Sequence, residues 1–121
     1  MSLLDSTQLS LEAAMRGASL RQTLLTNNIA NADTPGYQRQ DVDFHSELRS
    51  AMASDASGDG RALAGMQFQP QTQQQATGAG GNGVTIDQES ALVAENGLDY
   101  QALTQVVGAR NSIMRSAMGE I

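Results

Sequence analysis

The stretch Asn27-Asn28-Ile29-Ala30-Asn31-Ala32-Asp33-Thr34-Pro35-Gly36-Tyr37-Gln38-Arg39-Gln40-Asp41-Val42-Asp43-Phe44 decides how this chain can fold. A helical pattern runs into it and none runs straight out. Pro35 fixes its own φ and disfavours the α region for Thr34, while Gly36 accepts the positive φ of a type II turn. The helix is therefore expected to stop near Ala32. Asn28 and Asn31 lie three apart on one helix face, where their amides are placed to satisfy carbonyls left open at a helix C-terminus. Asp41 to Phe44 alternates polar and apolar residues, as an extended exit with one face inward does.

Upstream, Leu4, Leu11, Met15, Ala18, Leu25 and Ile29 follow steps of three, four or seven, and Leu9, Ala13, Leu20 and Leu24 form a second set. One helix over Leu4 to Ala32 would be roughly 40 Å long, and two apolar stripes on it imply more than one packing neighbour. Gly17 inside it costs about 1 kcal/mol relative to Ala but permits a close approach. At the other end Leu103, Val107, Met114, Ala117 and Ile121 recur at heptad-like steps beside Ala102, Val106, Ala109 and Ile113. Asp87 is the expected N-cap of this second helix, with Gln88 and Glu89 in its first turn.

Between the helices, His45 to Met52 reads as a short helical piece. The residues from Ala53 to Gly83 shift to Ser, Asp, Gly, Gln and Ala, a composition that buries too little apolar surface to order by itself. Met66 and Phe68 suggest one short strand and Val84 and Ile86 another, pairing as a loose hairpin. The expected fold is mainly α: two long terminal helices paired as an antiparallel, coiled-coil-like hairpin, with a short extended, β-hairpin-like or loop middle. Its segments are an N-terminal helix over 1–33, a turn and extended arm over 34–52, a flexible Gly/Gln-rich middle over 53–83 and a C-terminal helix over 84–121. Leu11, Met15, Leu25, Ile29, Leu103, Val107 and Met114 are the expected helix-packing positions.

Composition narrows the function. The 121 residues make at most one ordinary domain, and Tyr37, Phe44, Phe68 and Tyr100 are the only aromatics, so an elongated aliphatic seam of Leu, Met, Ala and Val is the expected core. A net charge of −6 disfavours a nucleic-acid backbone or an anionic bilayer as partner. All seven basic residues are Arg, a side chain suited to bidentate pairing at interfaces. Without cysteine there is no disulfide, thiolate metal site or thiol nucleophile. The start, Met1 to Asp5, has no basic segment or long apolar run, so neither a cleaved signal peptide nor a membrane insertion is expected.

Chemistry is thinly represented. Asp41, Asp43 and His45 alternate on an extended segment and would converge on one ion if they shared a face, which is the route to a metal-dependent hydrolase. No second His or any Cys completes a familiar site, and a solvated polar face explains the same residues. No Ser sits in a nucleophile elbow, and the glycines at 78–83 lack the Lys and strand-turn-helix context of a phosphate loop. No cofactor is expected. Two helices with two stripes each exceed what a monomer of this size can bury, which favours self-assembly or, as an alternative, a helical-hairpin adaptor or export-chaperone-like binding module.

Asn28-Ile29-Ala30-Asn31-Ala32-Asp33-Thr34-Pro35-Gly36-Tyr37 closely resembles the signature near the N-terminus of the bacterial flagellar rod, hook and filament-junction proteins, the axial family. Asp41-Val42-Asp43-Phe44 and Asn96-Gly97-Leu98-Asp99-Tyr100-Gln101-Ala102-Leu103 are similar to its short proximal rod members. The resemblance implies a non-enzymatic subunit of the basal-body rod in the periplasm, exported by the flagellar type III apparatus on an uncleaved N-terminus. Its partners would be copies of itself, other rod proteins and the adaptor joining the rod to the inner-membrane ring, with the terminal helices around an axial channel. Asn28, Asn31, Asp33, Pro35, Gly36, Tyr37, Asp43 and Phe44 would be joints of that assembly.

Overall fold

The computed structural model of the chain describes residues 3–55, 58, 60–73 and 84–119. Two long helices carry it: α1, Leu3–Ala30, and α4, Ile86–Ala117, with 28 and 32 residues. Between them lie β1 (Gln40–Asp41), α2 (Phe44–Ala53), α3 (Arg61–Ala64) and β2 (Gln71–Thr72). Asn28 bonds Glu89 while Asn96 reaches back to Ala18 and Gln22, so α4 returns antiparallel to α1. The helical hairpin expected from the two terminal stripes is therefore present.

α1 ends by tightening. The N–H of Asn31 is shared between the carbonyls of Asn27 and Asn28 at 3.0 and 3.2 Å, and Ala32 N–H then bonds Ile29 at 3.1 Å. A turn follows in which Tyr37 N–H donates to Thr34 O at 3.2 Å across Pro35 and Gly36. Gly36 has φ +77°, the left-handed value that the turn demands. The chain leaves as an arm that lies back along α1.

The core differs from the expected aliphatic seam, because that arm carries an aromatic ring into it. Val42 and Phe44 are buried, and with Ala18, Leu24 and Phe68 they form the main apolar cluster, flanked by Leu20, Leu48, Met66 and Leu103. Phe44 stacks edge-on to Phe68 with ring centroids 6.4 Å apart. It fits because α1 has a notch: a Cβ on Gly17 would stand 2.6 Å from Phe44 Cβ. The close approach that Gly17 permits is thus to an aromatic ring of the arm. Asp43 caps α2 by accepting from Ser46 N–H at 3.2 Å.

The middle differs from the expected hairpin. Gln71–Thr72 forms β2 and pairs antiparallel with β1, Gln40 opposite Thr72 and Asp41 opposite Gln71. Met66 and Phe68 belong to no strand; Phe68 turns into the core, and the burial of its ring outweighs any gain from edge pairing. Val84 precedes α4, and Ile86 is its first residue. Leu63 on α3 is buried, and its carbonyl accepts from Arg16 of α1 at 3.1 Å, so part of the low-complexity segment is fastened to the helix pair. Thr85, two residues before the expected Asp87, holds the N-cap position of α4, leaving Asp87 and Glu89 as first-turn acids. Residues 74–83 and Ile121 lie outside the described residues.

Candidate functional site

Two features stand out: a buried polar junction where arm, α1 and α4 meet, and a long apolar face of α4 that none of the described residues covers. The junction starts at Asn28, fully buried near the end of α1. Its Nδ2 donates to Gln40 O at 2.8 Å and its Oδ1 accepts from Gln40 N–H at 3.0 Å, so the side-chain amide pairs with the arm as a neighbouring strand would. Tyr37 OH adds a third bond to Oδ1 at 3.2 Å, and Nδ2 also reaches Glu89 Oε2 at 3.2 Å. Asn28 was expected to cap the helix end; its amide binds across to the arm and α4 instead, because burial places it against their unpaired groups. Asn31 keeps the expected role, donating to Asn27 O at 2.9 Å.

Charge fills the rest. Glu89 is 1% exposed and Arg39 3%, and Arg39 Nε donates to Glu89 Oε1 at 2.5 Å. Arg39 also bonds Asp41 at 3.4 Å and the side chain of Gln73. Arg21 on α1 grips Asp41 with two bonds, 2.9 and 3.2 Å. The hydrogen bond to Asp41 leads the effects that push the Arg21 guanidinium up. Burial works against the charge of Arg39, and the bonds and charges of Glu89 and Asp41 more than offset it, leaving its pKa raised. Two guanidiniums and two carboxylates thus balance inside a low-dielectric pocket, where removing one partner is expensive.

One heptad along α4, Asn96 is also fully buried, with Nδ2 donating to Ala18 O at 2.8 Å and Gln22 Oε1 at 2.9 Å. Its Oδ1 is buried without a partner. Glu89 and Asn96 are the buried residues of α4, and both are polar. Its aliphatic side chains towards α1, among them Leu103 and Val107, are only half-buried.

The opposite face of α4 carries Leu98, Ala102, Val106, Ala109 and Ile113 at steps of four and three, all exposed, with Leu98 at 66% and Ile113 at 68%. Met114 and Met118 are 39% and 72% exposed towards its end. Of the expected packing positions, Leu25 is fully buried, Leu11, Met15 and Ile29 are half-buried, and Met114 points outward. Of the turn residues, Asp33, Pro35 and Gly36 are exposed, Tyr37 is half-buried and Phe44 is in the core.

The ion site imagined at Asp41, Asp43 and His45 does not form. Asp41 is held by the two arginines, Asp43 caps α2, and the exposed His45 ring lies 3.3 Å from Asp99 on α4. Among the described residues no group of three or more His, Cys, Asp or Glu converges on a point that could hold a metal, and no helix is long and apolar enough to cross a membrane. Sequence reasoning missed Arg21, Arg39, Glu89 and Asn96. The signal was present in the seven-residue step from Glu89 through Asn96 to Leu103, which puts two polar residues on the same seam as an apolar one.

Comparison with known proteins agrees with the residues of the turn. Residues 10–38 match a family model described as flagella basal body rod protein. The flagellar basal body rod protein FlgB of Yersinia enterocolitica is 34% identical over 88% of this chain and 89% of its own length. That of Escherichia coli K12 is 35% identical over 81% and 82%, and that of Bacillus subtilis 168 is 30% identical over 98% and 97%. These relatives cover four fifths or more of this chain and of their own length, and the chain belongs to the FlgB family of flagellar basal body rod proteins.

Proposed function

We propose that the chain is a structural, non-catalytic subunit of the basal-body rod, and that it joins copies of itself and other rod proteins through the uncovered face of α4. The observation that carries this reading is the exposed row Leu98, Ala102, Val106, Ala109 and Ile113 on a helix whose only buried side chains are polar. An apolar row of this length has no use in an isolated chain and marks a contact surface. Each Å² covered by a neighbour contributes roughly 25 cal/mol, so assembly supplies the core that α4 lacks alone. The turn from Asp33 to Tyr37 and the arm behind it then present Asp33, Pro35 and Gly36 to a neighbouring subunit as a shaped joint. The same reading places the rod in the periplasm, with the ring adaptor at its base and the flagellar export apparatus as its route.

The test replaces Leu98 or Ile113 by Asp. Because these side chains are exposed, the purified variants should unfold within about 0.5 kcal/mol of the parent. They should nonetheless fail to cofractionate with basal bodies or restore swimming in a strain lacking the gene. Wild-type incorporation of both variants would refute α4 as the contact surface; absence of the unmodified chain from basal bodies would refute the rod reading itself.

A further inference from the structure

We infer that Asn96-Gly97 is a modification site that the docked α4 keeps closed: when α4 leaves α1, Asn96 cyclises onto Gly97 and loses ammonia, and the product no longer seats. An asparagine before glycine is the most open to attack by its own backbone, because glycine has no Cβ to shield the nitrogen that follows. The chain holds two such pairs, Asn82-Gly83 and Asn96-Gly97, and the second lies inside α4. Glycine at 97 answers no packing need. A Cβ built there meets nothing within 4 Å, and its φ is not left-handed.

The reaction uses only the chain and water. The Gly97 backbone nitrogen gives up its proton and bonds Asn96 Cγ, the Cγ–Nδ2 bond breaks, and ammonia departs with that proton to leave a five-membered imide. Water then adds to either carbonyl of the ring and opens it, giving aspartate or isoaspartate at 96. Ring closure needs Asn96 Cβ and Gly97 N eclipsed about the Cα–C bond, which a helical ψ of about −42° does not allow. It also needs a free side chain. In the docked helix Asn96 is fully buried, and its Nδ2 donates to Ala18 O at 2.8 Å and to Gln22 Oε1 at 2.9 Å.

The lock is therefore α4 itself, and α4 is the element most ready to open. The arm is fastened to α1 without it, through the paired bonds of Asn28 with Gln40 and of Arg21 with Asp41. Among its described residues α4 buries only Glu89 and Asn96 fully, and elements with so little buried apolar surface open ahead of the rest. The product then blocks return. Asn96 Oδ1 has no partner, so Nδ2 carries the whole attachment of this side chain, and Nδ2 is the atom that leaves. Aspartate would turn a carboxylate oxygen towards two acceptors: Gln22 can turn its amide over and donate, but the Ala18 carbonyl cannot, and burying the charge there is costly. Isoaspartate adds a carbon to the backbone and breaks the hydrogen-bond ladder in the middle of α4. One opening that lasts long enough thus becomes permanent.

The test ages the full chain in mildly alkaline buffer, with and without unfolding urea, and follows each Asn-Gly peptide by mass spectrometry. In urea Asn96 should gain the mass of deamidation at a rate similar to Asn82, whose peptide serves as the control. In buffer it should react at least about tenfold more slowly, as expected if the open form is a minor state of about 10% or less. Equal rates at Asn96 in buffer and urea overturn the lock, and an inert Asn96 beside a reacting Asn82 in urea overturns the site. Gly97→Ala keeps Asn96 and its bonds while shielding the attacking nitrogen. After equal ageing in urea and return to buffer, this variant should regain the hydrogen-exchange protection of α4 and the parent should not; both share Asn82, so the difference belongs to residue 96. Full recovery of α4 protection in an aged parent that mass spectrometry shows to be deamidated at 96 overturns the claim that the product cannot seat.

Discussion

Gly17→Ala is the substitution at which packing and helix propensity give opposite answers. Alanine in a helix interior is about 1 kcal/mol better than glycine, so propensity alone predicts a gain. The new methyl would stand 2.6 Å from Phe44 Cβ and 2.8 Å from Phe44 Cγ. Carbon atoms prefer about 3.5 to 4.0 Å, so the ring must retreat by roughly 1 Å from a place where it is already packed against Phe68. Overpacking of this kind costs about 1 to 3 kcal/mol, which exceeds the gain over most of its range. Gly108→Ala on α4 is the matched control, because nothing lies within 4 Å of its added Cβ. Both substitutions share the propensity gain, so the difference between them isolates the packing at Phe44. Urea unfolding followed by circular dichroism should show Gly108→Ala stabilised by about 0.5 to 1 kcal/mol. Gly17→Ala should fall below it by about 1 to 3 kcal/mol, a gap of roughly 4 °C in Tm for each kcal/mol. Equal gains in the two variants would refute the notch.

Two further outcomes follow from the turn and the arm. Gly36→Val places a β-branched residue at φ +77° in open space, so its whole penalty is backbone strain; a loss of at least 1 to 2 kcal/mol is expected, and an unchanged urea midpoint would show that the turn relaxes without loss. Asp43→Ala removes the cap accepted from Ser46 N–H and should lower stability by about 1 kcal/mol. Hydrogen exchange should speed up first in α2, and uniform acceleration over α1 and α4 would contradict a local role.

The long helices and the turn were legible because their signals are local. Pro35 and Gly36 constrain backbone angles, and leucines at steps of three and four need no knowledge of the partner. Element ends were less so: Thr85 and Asp87 are both sound capping residues, and only the placement of Ile86 chose between them. The middle misled because Phe68 and Met66 carry strand-like spacing, while their energy comes from Phe44 and Leu48, far away in sequence. The junction was the least legible part. Arg39, Asp41 and Glu89 each look like ordinary surface charges, and only their meeting at the end of α1 makes them interior. Asn28 sat inside a recognised signature, yet its partner Gln40 is a backbone group and leaves no trace in residue type.

The polar interior of α4 has a thermodynamic consequence. A helix of 32 residues that buries no apolar side chain fully exposes little new apolar surface when the lone chain unfolds. The heat capacity of unfolding and the denaturant slope both scale with that surface. For the isolated chain both should fall below those of a compact domain of equal length, giving a broad, shallow stability curve with a wide transition. Once a neighbour covers Leu98 to Ile113 the same residues should melt sharply, so transition breadth reports assembly with no label attached.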